Sequence, residues 1–195
     1  MTWHDPVVLK LCRQHGASDP TTVIVSLCSR LLEECPTDRG PTPLKVLASV
    51  QGIRNIHREP ISLAAGCSGL LVPKDGGYEV TVDADEPAER QNFSVAHEIV
   101  HTFFREVSPY TSPSLEEEGL CNVGAAELTM PEVRFGAFLR SRRLCLATID
   151  LAGTEFAVSF EAAGRRGMAL THDAACIFVA AVPQTGGQEL SNKDE

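Results

Sequence analysis

His97-Glu98-Ile99-Val100-His101 lies inside the apolar stretch Phe93-Ser94-Val95-Ala96 to Thr102-Phe103-Phe104. The spacing predicts a helix from about Pro87 to Arg105. Its apolar flanks predict burial, because a helix that is hydrophobic on most sides belongs inside a fold. Residues four apart share a helix face, so both imidazoles can reach one cation. A buried helix that turned two His and a Glu toward an apolar interior would need partners for all three. A metal ion and its water meet that need. Zinc (Zn2+) accepts His nitrogen readily and in catalytic sites keeps one position for water. Glu98, beside the first imidazole, is then placed as general base to take that water's proton.

A third ligand has to come from another element. After the loop Ser108-Pro109-Tyr110-Thr111-Ser112-Pro113, Ser114 can cap a helix running to about Met130, with Glu117 completing a capping box. Glu116, Glu117 and Glu118 open this helix. Glu118 shares a face with Cys121, Ala125 and Leu128, whereas Glu117 shares one with Leu120, Gly124 and Leu128. On spacing alone either could be the ligand, and acids in a first turn also complement the helix dipole. Gly124, Ala125 and Ala126 would let this helix pack closely on the His97 helix. Cys121, one turn from Glu118, is a candidate for oxidation beside the metal, and Tyr110 is a candidate oxyanion stabiliser.

Working outward, helical periodicity marks residues 6–15 and 21–35, the second with a Val23, Ile24, Leu27, Leu31 and Leu32 stripe. A short helix follows from Leu44 to Val50. Cys67–Val72 and Tyr78–Asp83 read as two strands joined through Pro73-Lys74-Asp75-Gly76-Gly77, whose glycines supply positive φ for a hairpin. Beyond Pro131, periodic segments cover about 132–143, 147–156 and 159–170. Cys176–Val182 is a candidate strand, and the tail from residue 184 is expected to fray. The expected division is a metallopeptidase-type domain over 1–131, a helical segment over 132–183 and the tail over 184–195.

At 195 residues, with 43% hydrophobic and 22% charged content, the chain can bury a core without a structural metal. The net charge of −9 argues against phosphate-driven nucleic-acid binding. The N-terminus lacks the pattern of a secretory signal, and no apolar run matches a membrane span. Seven cysteines, at 12, 28, 35, 67, 121, 145 and 176, contain no C-x-x-C pair. They read as reduced thiols of a cytoplasmic protein, with Cys12, Cys28 and Cys145 as small buried hydrophobes.

Two stretches in this order resemble the ImmA/IrrE metallopeptidase family, the IrrE branch most closely. Arg90-Gln91-Asn92-Phe93-Ser94-Val95-Ala96-His97-Glu98-Ile99-Val100-His101 is similar to R-x-R-F-T-x-A-H-E-x-x-H. Leu120-Cys121-Asn122-Val123-Gly124-Ala125-Ala126-Glu127-Leu128-Thr129-Met130-Pro131 is similar to A-N-x-F-A-A-E-L-L-M-P. The resemblance extends over about 64–170, and 151–166 resemble the helix-turn-helix-like segment that follows. It implies a zincin-like α+β fold with a small antiparallel sheet. It also implies zinc held by His97, His101 and Glu118, the last because the family's third ligand precedes the second block. Two features depart from the pattern: Leu120 stands where many relatives carry a second acid, and these 195 residues do not include a large C-terminal sensor domain of the IrrE kind.

Family members cleave helix-turn-helix repressors and so derepress stress-response or mobile-element genes, which makes a protein substrate of that class the expected partner. The second hairpin strand is expected to border the cleft, where an extended peptide can add as a strand. The clustered arginines of 132–170 offer a docking surface apart from the metal. The rival reading is a DNA-binding regulator that uses 132–170, with zinc structural. That segment has six Arg (134, 140, 142, 143, 165, 166) against four acids (132, 150, 155, 161), a thin surplus for a DNA reader.

Overall fold

The computed structural model describes residues 3–61, 68–108 and 112–171. The expected strand at 176–182, the tail, Tyr110 and the Cys67 end of the first hairpin strand lie outside them. Helices α1 (Pro6–Gln14), α2 (Pro20–Glu33) and α3 (Leu44–Val50) precede strand β1 (Ile53–Glu59). The hairpin β2 (Gly69–Lys74) and β3 (Gly77–Asp83) follows, then α4 (Ala88–Arg105), α5 (Leu115–Thr129), α6 (Glu132–Arg140), α7 (Leu146–Phe156) and α8 (Phe160–Leu170). This is the expected α+β class. Among the described residues no helix is long and apolar enough to cross a membrane.

The sheet has the order β1-β3-β2. The hairpin is antiparallel as expected, with Leu71 opposite Val80, and turns at Asp75 and Gly76, both at positive φ. β1 pairs parallel to β3, so the sheet is mixed. Periodicity missed β1 because Ile53 alone is fully buried in Ile53-Arg54-Asn55-Ile56-His57-Arg58-Glu59. An edge strand with a wet face carries little apolar alternation to read. β3, with Val80 and Val82 at 0% exposure, occupies the centre. The cleft edge therefore belongs to β2, the first hairpin strand, and not to the second as the sequence had suggested.

Among the described residues two apolar clusters form. The larger gathers Val8 and Leu11 of α1, Ile24 and Leu31 of α2, Val80 and Val82, Ile99, Val100 and Phe104 of α4, and Leu120 and Leu128 of α5. The smaller joins Met130 to Phe135, Ile149, Ala152, Phe156 and Ala163. α5 approaches α4 closely because Gly124 has no side chain: a Cβ there would stand 2.6 Å from Val100 Cγ2 and 3.0 Å from Ile24 Cγ2. That approach carries the first turn of α5 to the His97–His101 face.

The clusters are joined by polar anchors. Glu127 of α5 pairs with Arg166 of α8 and accepts the Glu132 amide, while Arg166 Nε donates to the Met130 carbonyl. Arg134 donates to the Gly40 carbonyl, and the Gly40 amide donates to Glu155.

Candidate metal centre and cleft

The two imidazoles of α4 meet edge to face, with their Nε2 atoms 3.1 Å apart. Glu118 reaches the same point from α5: its Oε2 is 3.0 Å from His97 Nε2 and its Oε1 3.5 Å from His101 Nε2. The outer nitrogens are occupied too. His97 Nδ1 lies 3.1 Å from Asn122 Oδ1, and His101 Nδ1 lies 3.0 Å from Glu117 Oε1. In the tautomer in which each Nδ1 donates to its oxygen, both Nε2 lone pairs would face the Glu118 carboxylate, the arrangement a cation needs.

Such a convergence calls for a cation. Ligand atoms at about 2.0–2.1 Å from a tetrahedral zinc stand about 3.3 Å apart, close to the spacings found. The electrostatics agree. Burial opposes charge on His101, but Cys121, Glu117 and Glu118 outweigh it and push its pKa up to about 12. Burial, aided by His101, holds His97 below its ordinary range. Without a metal, then, a proton on His101 neutralises the site.

The three acids of α5 have three different tasks. Glu116 accepts the backbone amides of His4 and Asp5 at 2.9–3.0 Å, tying the start of α1 to α5. Glu117 is 1% exposed and holds both His101 and Arg105, the latter at 2.9 Å. Its amide donates to Ser114 Oγ at 3.1 Å, so half of the expected capping box forms. The other half is absent because the Glu117 carboxylate is committed inward. Glu118 alone faces the Nε2 pair.

His97, His101 and Cys121 also form a possible donor group, with ligand atoms within 4.8 Å of one another. Cys121 Sγ, however, lies 3.4 Å from His101 Nδ1, on the ring edge away from His97 Nε2. To share a metal with this sulfur, His101 would have to give up Glu117. Cys121 is fully buried, and burial pushes its thiol up to about 11. A buried, protonated thiol is a poor oxidant sensor, which removes the role suggested by its sequence position. Cys145, expected to be buried, is instead exposed at the N-terminus of α7.

Glu98 is buried and pushed up to about 7, chiefly by burial, while His101 and the Leu71 amide pull the other way. It is pressed by β2: a Cβ on Gly69 would stand 2.8 Å from Glu98 Oε1. With glycine there, strand and carboxylate meet without either having to shift.

These residues open on a cleft of about 1590 Å³. One wall is the β2 edge from Ser68 to Leu71. The opposite wall is Val158, Ser159 and the first turn of α8, with Phe160 and Glu161. Of the 132–170 helices, the start of α8 thus belongs to the cleft, through Val158–Ala162 and Arg165, while α6 and α7 do not line it. The arginines of 132–170 are also largely spoken for. Arg134 lies 5.1 Å over the Phe156 ring, Arg142 lies 4.0 Å over Phe138, and Arg165 pairs with Glu161 at 2.7 Å.

Residues 55–168, more than half of the chain, match the model of the IrrE N-terminal-like domain, a peptidase family. The chain belongs to the IrrE N-terminal-like peptidase family. Over 125 residues it is 30% identical to a Deinococcus deserti protein called radiation response metalloprotease IrrE, covering 49% of this chain and 44% of that protein. The match thus spans under half the length of that relative. The family match begins in β1 and ends in α8, so it takes in both cleft walls as well as α4 and α5.

Asn122 and Arg105, and the contact that Glu117 makes with His101 Nδ1, escaped the sequence reading. Asn122 stands four residues after Glu118, one turn along the same face, and that spacing was the available signal. Glu117 had been weighed against Glu118 as a ligand; it turns out to contact the other nitrogen of the same imidazole.

Proposed function

We propose that this chain is a zinc-dependent endopeptidase in which His97, His101 and Glu118 hold the ion and Glu98 is the general base. The observation that carries this reading is the convergence of two Nε2 lone pairs and the Glu118 carboxylate, with both Nδ1 atoms already engaged. When bound, zinc supplies Lewis acidity toward water and a peptide carbonyl. Glu98 takes the proton of the attacking water and returns it to the leaving amine nitrogen. Its carboxylate, raised to about 7, suits proton transfer near neutral pH.

The substrate enters as an extended peptide. β2 hydrogen-bonds to β3 on one side, and its other edge faces the cleft, so a peptide can align its backbone there. The family relationship supports a protein substrate, and we take it to be a helix-turn-helix repressor cut in a flexible linker, derepressing stress-response or mobile-element genes. The five described cysteines are free thiols, in keeping with action in the reducing cytoplasm. The two apolar clusters support a metallopeptidase domain over 1–131 and an appended helical segment beyond it.

The competing reading, a DNA-binding regulator, is less well supported. A helix-turn-helix reads bases with the start of its second helix. Here the start of α8 lines the cleft.

The test is incubation of the zinc-loaded protein with the helix-turn-helix repressor encoded nearest its gene and, separately, with casein. The proposal expects one or a few cuts in the repressor and little casein digestion. Broad casein digestion with the repressor intact would make it a general peptidase.

A further inference from the structure

Behind the metal helix lies a second, smaller cavity of about 280 Å³. It sits where the two apolar clusters meet. Pro41, Thr42, Pro43, Leu44 and Lys45 form one side, Ile56 and Arg58 of β1 another, and Asn92 and Val95 of α4, Thr129 of α5 and Phe156 of α7 the rest. Asn92 and Val95 are on the helix face opposite His97 and His101, so this cavity is separate from the metal cleft. Its size is just under the roughly 300 Å³ at which small-molecule pockets begin, and it has the seam position such pockets favour.

Two features give the cavity a chemical preference. In a chain of net charge −9 its lining includes two cations, Lys45 and Arg58, and no acid. Arg58 Nε donates to Gln91, and among the described residues neither Lys45 nor Arg58 forms a salt bridge with a carboxylate. The second feature is Thr42, which is 8% exposed; among the described residues its hydroxyl is the buried side-chain polar atom left without a hydrogen-bond partner. A buried hydroxyl left unpaired costs free energy that a ligand acceptor can recover.

We propose that this seam cavity binds a small organic monoanion: an apolar ring or short chain set among Pro43, Leu44, Val95 and Phe156, carrying one carboxylate. Arg58 and Lys45 hold the carboxylate at the rim, where a guanidinium can pair with it bidentately. The apolar remainder of the lining disfavours a multiply charged ligand, which would lose hydration there without enough partners. The proposal does not depend on the peptidase reading.

The experiment titrates benzoate, benzamide and inorganic phosphate into the zinc-loaded protein while backbone amide resonances are followed. Benzoate is expected to shift Thr42, Leu44 and Phe156 saturably, with benzamide and phosphate each at least tenfold weaker. Arg58→Gln, a change at an exposed side chain, should weaken benzoate at least tenfold, and Thr42→Val should weaken it severalfold. Shifts confined to the metal cleft, phosphate binding as tight as benzoate, or benzoate binding unchanged in Arg58→Gln would each overturn the proposal.

Discussion

The Glu117 carboxylate lies 3.0 Å from Nδ1 of His101, while Nε2 of the same ring faces His97. One imidazole is thereby engaged at both nitrogens, and Glu117 meets it on the side away from His97. Glu117→Ala would leave His101 without its Nδ1 acceptor and Arg105 without its carboxylate. Zinc affinity, read by chelator competition, should fall about 10–100-fold. Stability should fall by on the order of 3 kcal/mol, as for a broken buried ion pair. Glu117→Gln, which keeps an acceptor oxygen, should recover part of the affinity. Unchanged affinity in the Ala variant would exclude this role.

Glu118 and Cys121 approach His101 from opposite ring edges, so their variants should behave differently. Glu118→Ala should lose most of the bound zinc, whereas Cys121→Ala should keep it. Metal content after dialysis measures both. Zinc lost from the Cys121 variant and kept by the Glu118 variant would reassign the third ligand to sulfur.

Gly69→Ala tests the contact between strand and base. A methyl group there would stand 2.8 Å from Glu98 Oε1, so the carboxylate or the strand must move. Peptide cleavage should drop more than tenfold with zinc retained, since small displacements of a catalytic group are costly. Activity equal to the parent would mean that Glu98 is not held by β2.

Asp5 offers a pH prediction at the α1–α5 junction. Burial raises its pKa, but the Val8 amide, Ser114 and the Val7 amide together outweigh burial and hold the carboxyl below its usual range. A depressed folded-state pKa gives stability that is present above the unfolded value, about 3.9, and lost as pH falls through the folded value. Asp5→Ala should cost about 1 kcal/mol at pH 7, as for a lost N-cap. The gap between variant and parent in urea denaturation should narrow as pH drops below 4. A gap that widens on acidification would contradict the sign.

Much of the site was legible because helix periodicity is local. His97, Glu98 and His101 share a face by spacing alone, and the small residues around Gly124 announced a close helix pair. What escaped depends on which way side chains turn at long range. Glu117 and Glu118 differ by 100° around one helix, and only the packing of α5 on α4 decides which nitrogen each one meets. β1 escaped because its wet edge carries charge where a buried strand would alternate. The role of α8 as a cleft wall escaped because it depends on Glu127 meeting Arg166, residues 39 apart in sequence. Cys145 was misplaced for a similar reason: apolar neighbours in sequence do not say which side of a helix start faces the core.

Glu98 acting beside a metal held by its neighbours is the centre of the proposed reaction. The most direct measurement is the rate of repressor or peptide cleavage by the zinc-loaded parent and by Glu98→Gln, with zinc content determined on the same samples. One zinc per chain is expected in both proteins, with cleavage at least about a hundredfold slower in the Gln variant, the lower end of the about 10²–10⁴ of general-base catalysis. Cleavage by zinc-loaded Glu98→Gln within about tenfold of the parent would contradict the role of Glu98 as the base.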